Sequence, residues 1–191
     1  MKINVEIVHY IIYKERKMKT VINHYGNHIW FIVAFEEEFT SKNHNILYLE
    51  DAGKINAAMA TQWLIDNFGP TGIINVGTAG GNPNKVEKGK IYTIGKVIDR
   101  DWKTPNTIYP EIIVNNKKGL KSCYTGDSFV TEWNDKYDIV DMEAYAIAKV
   151  CKQEENHIPF KCYKYISDTG SDEEWSQSLK YCNEAFNKMF N

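Results

Sequence analysis

The order of strands and helices along this 191-residue chain predicts an α/β domain with helices on both faces of a sheet. Three observations carry the prediction. Apolar residues recur at helical spacing: Ala57, Ala60, Leu64 and Phe68 form one stripe, and Ala144, Ile147, Ala148 and Cys151 fall at i, i+3, i+4 and i+7. Short apolar runs such as "GIINV" at 72–76 lie between the helical stretches and read as strands of a covered sheet. Several predicted strands end in polar or glycine-rich residues, where such folds place ligands.

Taken in order, strands are expected at 4–13, 29–35, 45–49, 72–76, 90–98, 137–140 and 160–166, and helices at 54–68, 142–153 and 172–190. Gly69-Pro70 stops the first helix. "VEIVHYIIY" at 5–13 is apolar but short and is interrupted by His9, and neither a leader nor a membrane helix of ~20 apolar residues is expected. "KERKMK" at 14–19 reads as a solvated charged turn.

The formal net charge of -2 gives no general attraction to polyanions, so neither nucleic acid nor an anionic membrane is an expected partner. The cysteines at 123, 151, 162 and 182 form no C-x-x-C pair. Reduced thiols in a cytoplasm are the simplest reading, with no metal site and no cofactor.

Three segments carry the chemistry. In "INVGTAGGNP" (74–83) Gly77, Gly80 and Gly81 leave a strand for a loop whose backbone N–H groups can approach a ligand; a plain tight turn is the alternative. It is neither a Walker loop nor a dinucleotide fingerprint. In "VDMEAYA" (140–146) Asp141 is accounted for by a helix dipole, whereas Glu143 sits between apolar Met142 and Ala144 and needs a partner. In "YKYISDTGSD" (163–172) Ser167 and Asp168 stand where a strand ends, and Asp168 is either a helix cap or a site residue.

With these segments in view, the chain resembles the purine nucleoside phosphorylase superfamily, and within it the methylthioadenosine/S-adenosylhomocysteine nucleosidases. The motifs are "FEEEF" (35–39), "GKINAAMAT" (53–61), "IINVGTAGG" (73–81), "DSFV" (127–130), "VDMEAYAIAKVC" (140–151) and "ISD" (166–168), in the family's order. The resemblance implies a three-layer α/β/α sandwich with a mixed central sheet. It also implies hydrolysis, with water as co-substrate, of the N-glycosidic bond of an adenine nucleoside to free base and ribosyl sugar. Carried over position by position, Glu38 activates the water and Asp168 protonates the purine at N7, oriented by Ser167. Glu143 grips the ribose hydroxyls beside Met142, Phe129 stacks on the base, the Val130 backbone meets its edge, and Thr78 keeps the hydroxyl of a family Ser. A homodimer is implied as well.

Opposed carboxyl groups suit this chemistry. Cleavage makes the sugar oxocarbenium-like and leaves negative charge on the base, so an acid at the base and a general base at the water are both needed. Phosphorolysis is the nearest rival. Asn75 stands where phosphorylases of this superfamily often carry Arg, and the two arginines, Arg16 and Arg100, match no phosphate position, although Arg100 in "VIDRDW" lies within reach of a pocket. A nucleoside-binding protein without turnover is the rival from another class. The family's domain is expected over 29–191, with residues 1–28 an extension that adds a strand or an interface, or with Met18 as the start. The stretch 91–129 and the segment after Asp168 are shorter than in the family, leaving the 5′ substituent open. Trp175 is either a pocket wall or a core or surface residue.

Overall fold

The computed structural model of the protein describes residues 7–13, 16–22, 28–49, 51–102, 109–153 and 157–191. Its elements are β1 (Ile7–Tyr13), β2 (Arg16–Ile22), β3 (Ile29–Val33), a 3-10 turn (Glu36–Glu38), β4 (Asn45–Tyr48), α1 (Lys54–Phe68), β5 (Gly72–Gly81), β6 (Ile91–Asp99), β7 (Glu111–Ile113), β8 (Lys121–Thr125), β9 (Ile139–Asp141), α2 (Ala144–Gln153), β10 (Phe160–Asp168) and α3 (Asp172–Phe190).

The strands form one mixed sheet in the order β1-β2-β4-β3-β5-β10-β6-β8-β9, with β7 beside β6. Its centre is parallel: β3 pairs with β4 and β5, and β5 with β10. Beyond β10 the direction reverses, since β6 runs antiparallel to it while β8 and β9 follow β6 in parallel. The sheet then curls until Gly80 and Gly81 of β5 pair with Val140 and Ile139 of β9, closing the ring β5–β10–β6–β8–β9.

Helices cover both faces, giving the three-layer α/β/α sandwich. The two-residue period of β3 sends Trp30 and Ile32 one way and Phe31 and Val33 the other. On the first face Trp30, Ile32 and Leu47 pack with Ala57, Ala60 and Leu64 of α1 and with Ile147 and Cys151 of α2. On the second, Phe31, Val33, Tyr48, Val76 and Tyr165 pack with Cys182 and Phe186 of α3. A third cluster joins α2 to the ring through Ala144, Ala148, Ile94, Val97, Cys123 and Ile139. Ser171 caps α3 by accepting from the Glu174 N–H at 3.4 Å, so Asp168 is not its cap.

The structure departs from the sequence expectations at three places. Lys14 and Glu15 of the charged run lie outside the described residues, but Arg16–Lys19 open β2 and are no turn. Charge disguised a strand whose far half, Thr20–Ile22, is buried and whose backbone pairs with β1 and β4. The glycine-rich segment is not a loop: β5 runs through to Gly81, because Gly77 pairs with β10, Gly81 with β9 and Gly80 with both. The short β7 and β8 were not anticipated. Of the N-terminal stretch, β1 and β2 extend the central sheet as an antiparallel hairpin.

Candidate active site

Glu38, Thr78, Phe129, Val130, Met142, Glu143, Ser167 and Asp168 all line one cavity of about 240 Å³. They reach it from the turn after β3, from β5, from the loop after β8, from the junction of β9 with α2, and from the end of β10. Trp175, in the first turns of α3, closes another wall.

Glu38 is buried, at 3% exposure. Its Oε1 accepts the Thr78 N–H at 2.8 Å and the Thr78 hydroxyl at 2.5 Å, while Oε2 accepts the Phe35 N–H at 3.3 Å. A Cβ at Gly77 would lie 2.9 Å from Glu38 Oε2, so a larger residue here would push the carboxyl aside. Burial raises the Glu38 carboxyl above the ordinary value, and the two Thr78 donors and the Lys164 charge hold that rise back.

Glu143 follows the end of β9, one residue before α2. Its Oε1 accepts the N–H of Gly53 at 3.0 Å, at the head of α1. Burial first, and then the nearby Asp141 carboxylate, push the Glu143 carboxyl up to about 7. Asp141 differs although it is equally buried. Burial opposes its charge, but Lys164 at 2.8 Å, the Thr125 hydroxyl at 2.6 Å and the Ala144 N–H at 2.8 Å hold it below the ordinary value. Lys164 in turn keeps its proton in spite of burial, because Asp141 lies against it.

At the far end, Asp168 accepts the Ser167 hydroxyl at 2.7 Å and the Gly170 N–H at 2.9 Å. Burial raises its carboxyl, and these two donors only moderate the rise. Phe129 and Val130 line the same cavity. The Trp133 indole N–H donates to Thr169 O at 2.6 Å and ties their loop to the turn after β10. Arg100 does not line the cavity; its guanidinium turns to the Ser128 hydroxyl at 3.1 Å and the Ser128 carbonyl, and so holds that loop. Asn75 also points away, its amide donating to Ile32 O at 3.0 Å.

Sequence reasoning missed Lys164. A lysine in an apolar strand reads as a solvated residue, and its partner Asp141 is 23 positions away in another strand. The available signal was a pair of opposite charges, each set among strand-forming residues with no polar neighbour to serve it. Among the described residues no cluster of three or more His, Cys, Asp or Glu could hold a metal ion. Chemically, the cavity sets three carboxyls whose acidities burial weakens, Glu38, Glu143 and Asp168, around a space walled by aromatic and apolar groups.

Comparison with known proteins shows the family. The Phosphorylase superfamily pattern matches residues 8–132. The 5′-methylthioadenosine/S-adenosylhomocysteine nucleosidase of Bacillus cereus (strain B4264) is 30% identical over 174 residues, covering 71% of this chain and 74% of its own. That of Staphylococcus carnosus (strain TM300) is 28% identical over 176 residues, covering 74% and 75%. Among solved structures, the Neisseria meningitidis nucleosidase in complex with methylthio-immucillin-A superposes with a TM-score of 0.68 at 22% identity, over 84% of this chain and 95% of that one. The futalosine hydrolase of Helicobacter pylori shares the fold at a TM-score of 0.65 and 17% identity, over 84% and 96%. The chain belongs to the phosphorylase superfamily and, within it, to the 5′-methylthioadenosine/S-adenosylhomocysteine nucleosidases.

Proposed function

We propose that the protein hydrolyses the N-glycosidic bond of an adenine nucleoside of the methylthioadenosine or adenosylhomocysteine type, releasing free base and ribosyl sugar. One observation carries the choice of water over phosphate. The donors that β5 offers to an anion, the Thr78 N–H and hydroxyl, are both bound to the buried carboxyl of Glu38. An incoming phosphate would have to displace that group and lie beside a like charge. Asn75, bonded into the sheet, offers no replacement cation.

In this reading Glu38 takes a proton from water as the bond to the base breaks. Asp168, whose carboxyl burial raises above the ordinary value, delivers its proton to N7 and neutralises the charge left on the purine. Ser167 orients that carboxyl. Glu143 accepts the ribose hydroxyls beside Met142. Phe129 stacks on the base and the Val130 backbone meets its edge. With its carboxyl at about 7, Glu143 engages the sugar best on the alkaline side, where it is ionised.

The same reading includes a homodimer in the cytoplasm. Support for the dimer is apolar surface beside the cavity: Ile55 and Met59 of α1 are 70% and 51% exposed, and α1 begins where the Lys54 N–H binds Asp127, two residues before the exposed Phe129. The four free, buried cysteines fit a reducing compartment. Among the described residues no helix is long and apolar enough to cross a membrane.

The test is base release from methylthioadenosine, adenosylhomocysteine, adenosine, inosine and AMP in phosphate-free buffer, repeated with phosphate. Release of adenine without phosphate is expected, and the panel reads the 5′ substituent. Strict dependence on phosphate, with a sugar 1-phosphate product, overturns the reading. Light scattering at assay concentration checks the dimer, which a fully active particle of 22.1 kDa would refute.

A further inference from the structure

The geometry points to Trp175 as the positioning residue that fixes which way the Thr78 hydroxyl proton points and which oxygen of Glu38 is free to act as base. This inference rests on the hydrolytic reading above and deepens it.

The Trp175 indole Nε1 lies 2.9 Å from Thr78 Oγ1, which in turn lies 2.5 Å from Glu38 Oε1. An indole N–H can only donate. The Thr78 oxygen therefore accepts from Trp175, and its single proton is left for Glu38. A hydroxyl placed against a carboxylate alone is free to swing its proton elsewhere; one that also receives an N–H is not. The polarity of the relay is thus single, from Trp175 through Thr78 to Glu38.

Two consequences follow for the base. Oε1 takes two short hydrogen bonds from Thr78, while Oε2 takes only the 3.3 Å bond from Phe35. The oxygen with spare basicity is Oε2. The Thr78 hydroxyl, meanwhile, has no proton left to offer a substrate oxygen or an anion. Trp175 is well held for this work. It sits one turn into α3, its backbone N–H bonded to Ser171 O at 3.1 Å, and its ring meets Phe35 at 5.9 Å and 68°. The charged and titratable groups around Glu38 are Lys164 on β10, Glu143 at the head of α2 and Cys182 on α3, and Trp175→Phe leaves all three in place.

Trp175→Phe keeps an aromatic wall and removes the one donor. The direct measurement is the Glu38 carboxyl titration, followed by carbon-13 NMR of glutamate-labelled protein and assigned with Glu38→Gln. Losing one neutral hydrogen bond of ~1 kcal/mol corresponds to ~0.5–1 pH unit, so the Glu38 titration should move up by about that much in Trp175→Phe. It should not move when the same change is made on a Thr78→Val background, where the relay is already cut. In kinetics, the acid limb of kcat should move up with it while KM stays within about threefold. A wall-only role predicts the reverse: an unmoved titration, a raised KM, and an effect that persists on Thr78→Val. An unmoved Glu38 titration in a Trp175→Phe protein of wild-type melting temperature overturns the inference. That measurement needs no turnover, so a protein that fails to hydrolyse any nucleoside sinks the functional reading alone.

Discussion

Asp168→Asn should separate activity from stability. The substitution is nearly isosteric, and its surroundings can absorb it. The amide oxygen can still accept the Gly170 N–H, now at 2.9 Å from Asp168 Oδ1. The new NH2 would face Ser167 Oγ, whose own proton can turn to Ala79 O, 3.2 Å away. No buried polar group is stranded, so the loss of stability should stay within about 1 kcal/mol. The raised carboxyl adds to this. A group whose folded pKa lies above its unfolded one contributes stability that is present at low pH and lost as pH rises through the folded value, so at neutral pH the neutral amide gives up nothing on that account. Activity should behave differently, because Asn cannot deliver a proton to N7. General acid catalysis contributes about 10²–10⁴-fold, roughly 3–5 kcal/mol of barrier, and the deficit should lie in kcat with KM little changed. Single-turnover release of base and a thermal melt on the same preparation test both halves. A variant within threefold of the wild-type rate would refute the assignment of the acid.

Two further outcomes follow from the buried charges. Glu143→Gln should raise KM about tenfold or more and lower kcat, since a charge-assisted grip on the ribose is lost. It should also stabilise the protein in a pH-dependent way: wild-type stability from the neutral carboxyl is complete below 4.5 and lost as pH rises through about 7, so the variant's advantage should grow over that window to roughly 1–3 kcal/mol. Melting-temperature differences that are equal at pH 5 and pH 8 would contradict this. Lys164→Met should cost about 3–5 kcal/mol in denaturant unfolding, because it leaves Asp141 buried and unpaired; adding Asp141→Asn should recover part of the loss, and a single-variant cost under 1 kcal/mol would remove the ion pair from the account.

Much of the frame was legible because its signals are local. Helical spacing located α1, α2 and α3, with α1 and α3 matching the expected bounds to the residue or nearly so. Apolar runs located β3, β4, β5, β6 and β10. What escaped was decided by partners distant in sequence. β7 is three residues long and exists only because β6 lies beside it. The glycines of β5 resemble a loop until β9 and β10 are present to pair with them. The residues that meet at the cavity were legible one at a time, as polar groups at strand ends and as motif positions. The Asp141–Lys164 pair and the Trp175–Thr78–Glu38 relay were not, because neither residue in such a contact announces the other.

The sequence separations within this site also set when it can form. The hydrogen bonds that assemble it join residues 40, 73, 90 and 97 positions apart: Glu38 with Thr78, Lys54 with Asp127, Gly53 with Glu143, and Thr78 with Trp175. Each must wait for a long loop to close, and the ring that carries them is completed only when β9 returns to β5. Helical signal should therefore recover early in refolding, whereas the site becomes competent only in the slowest phase. On that expectation Glu38, Glu143 and Asp168 stay in water while α1, α2 and α3 form, and acquire their shifted acidities only as the last pairs meet.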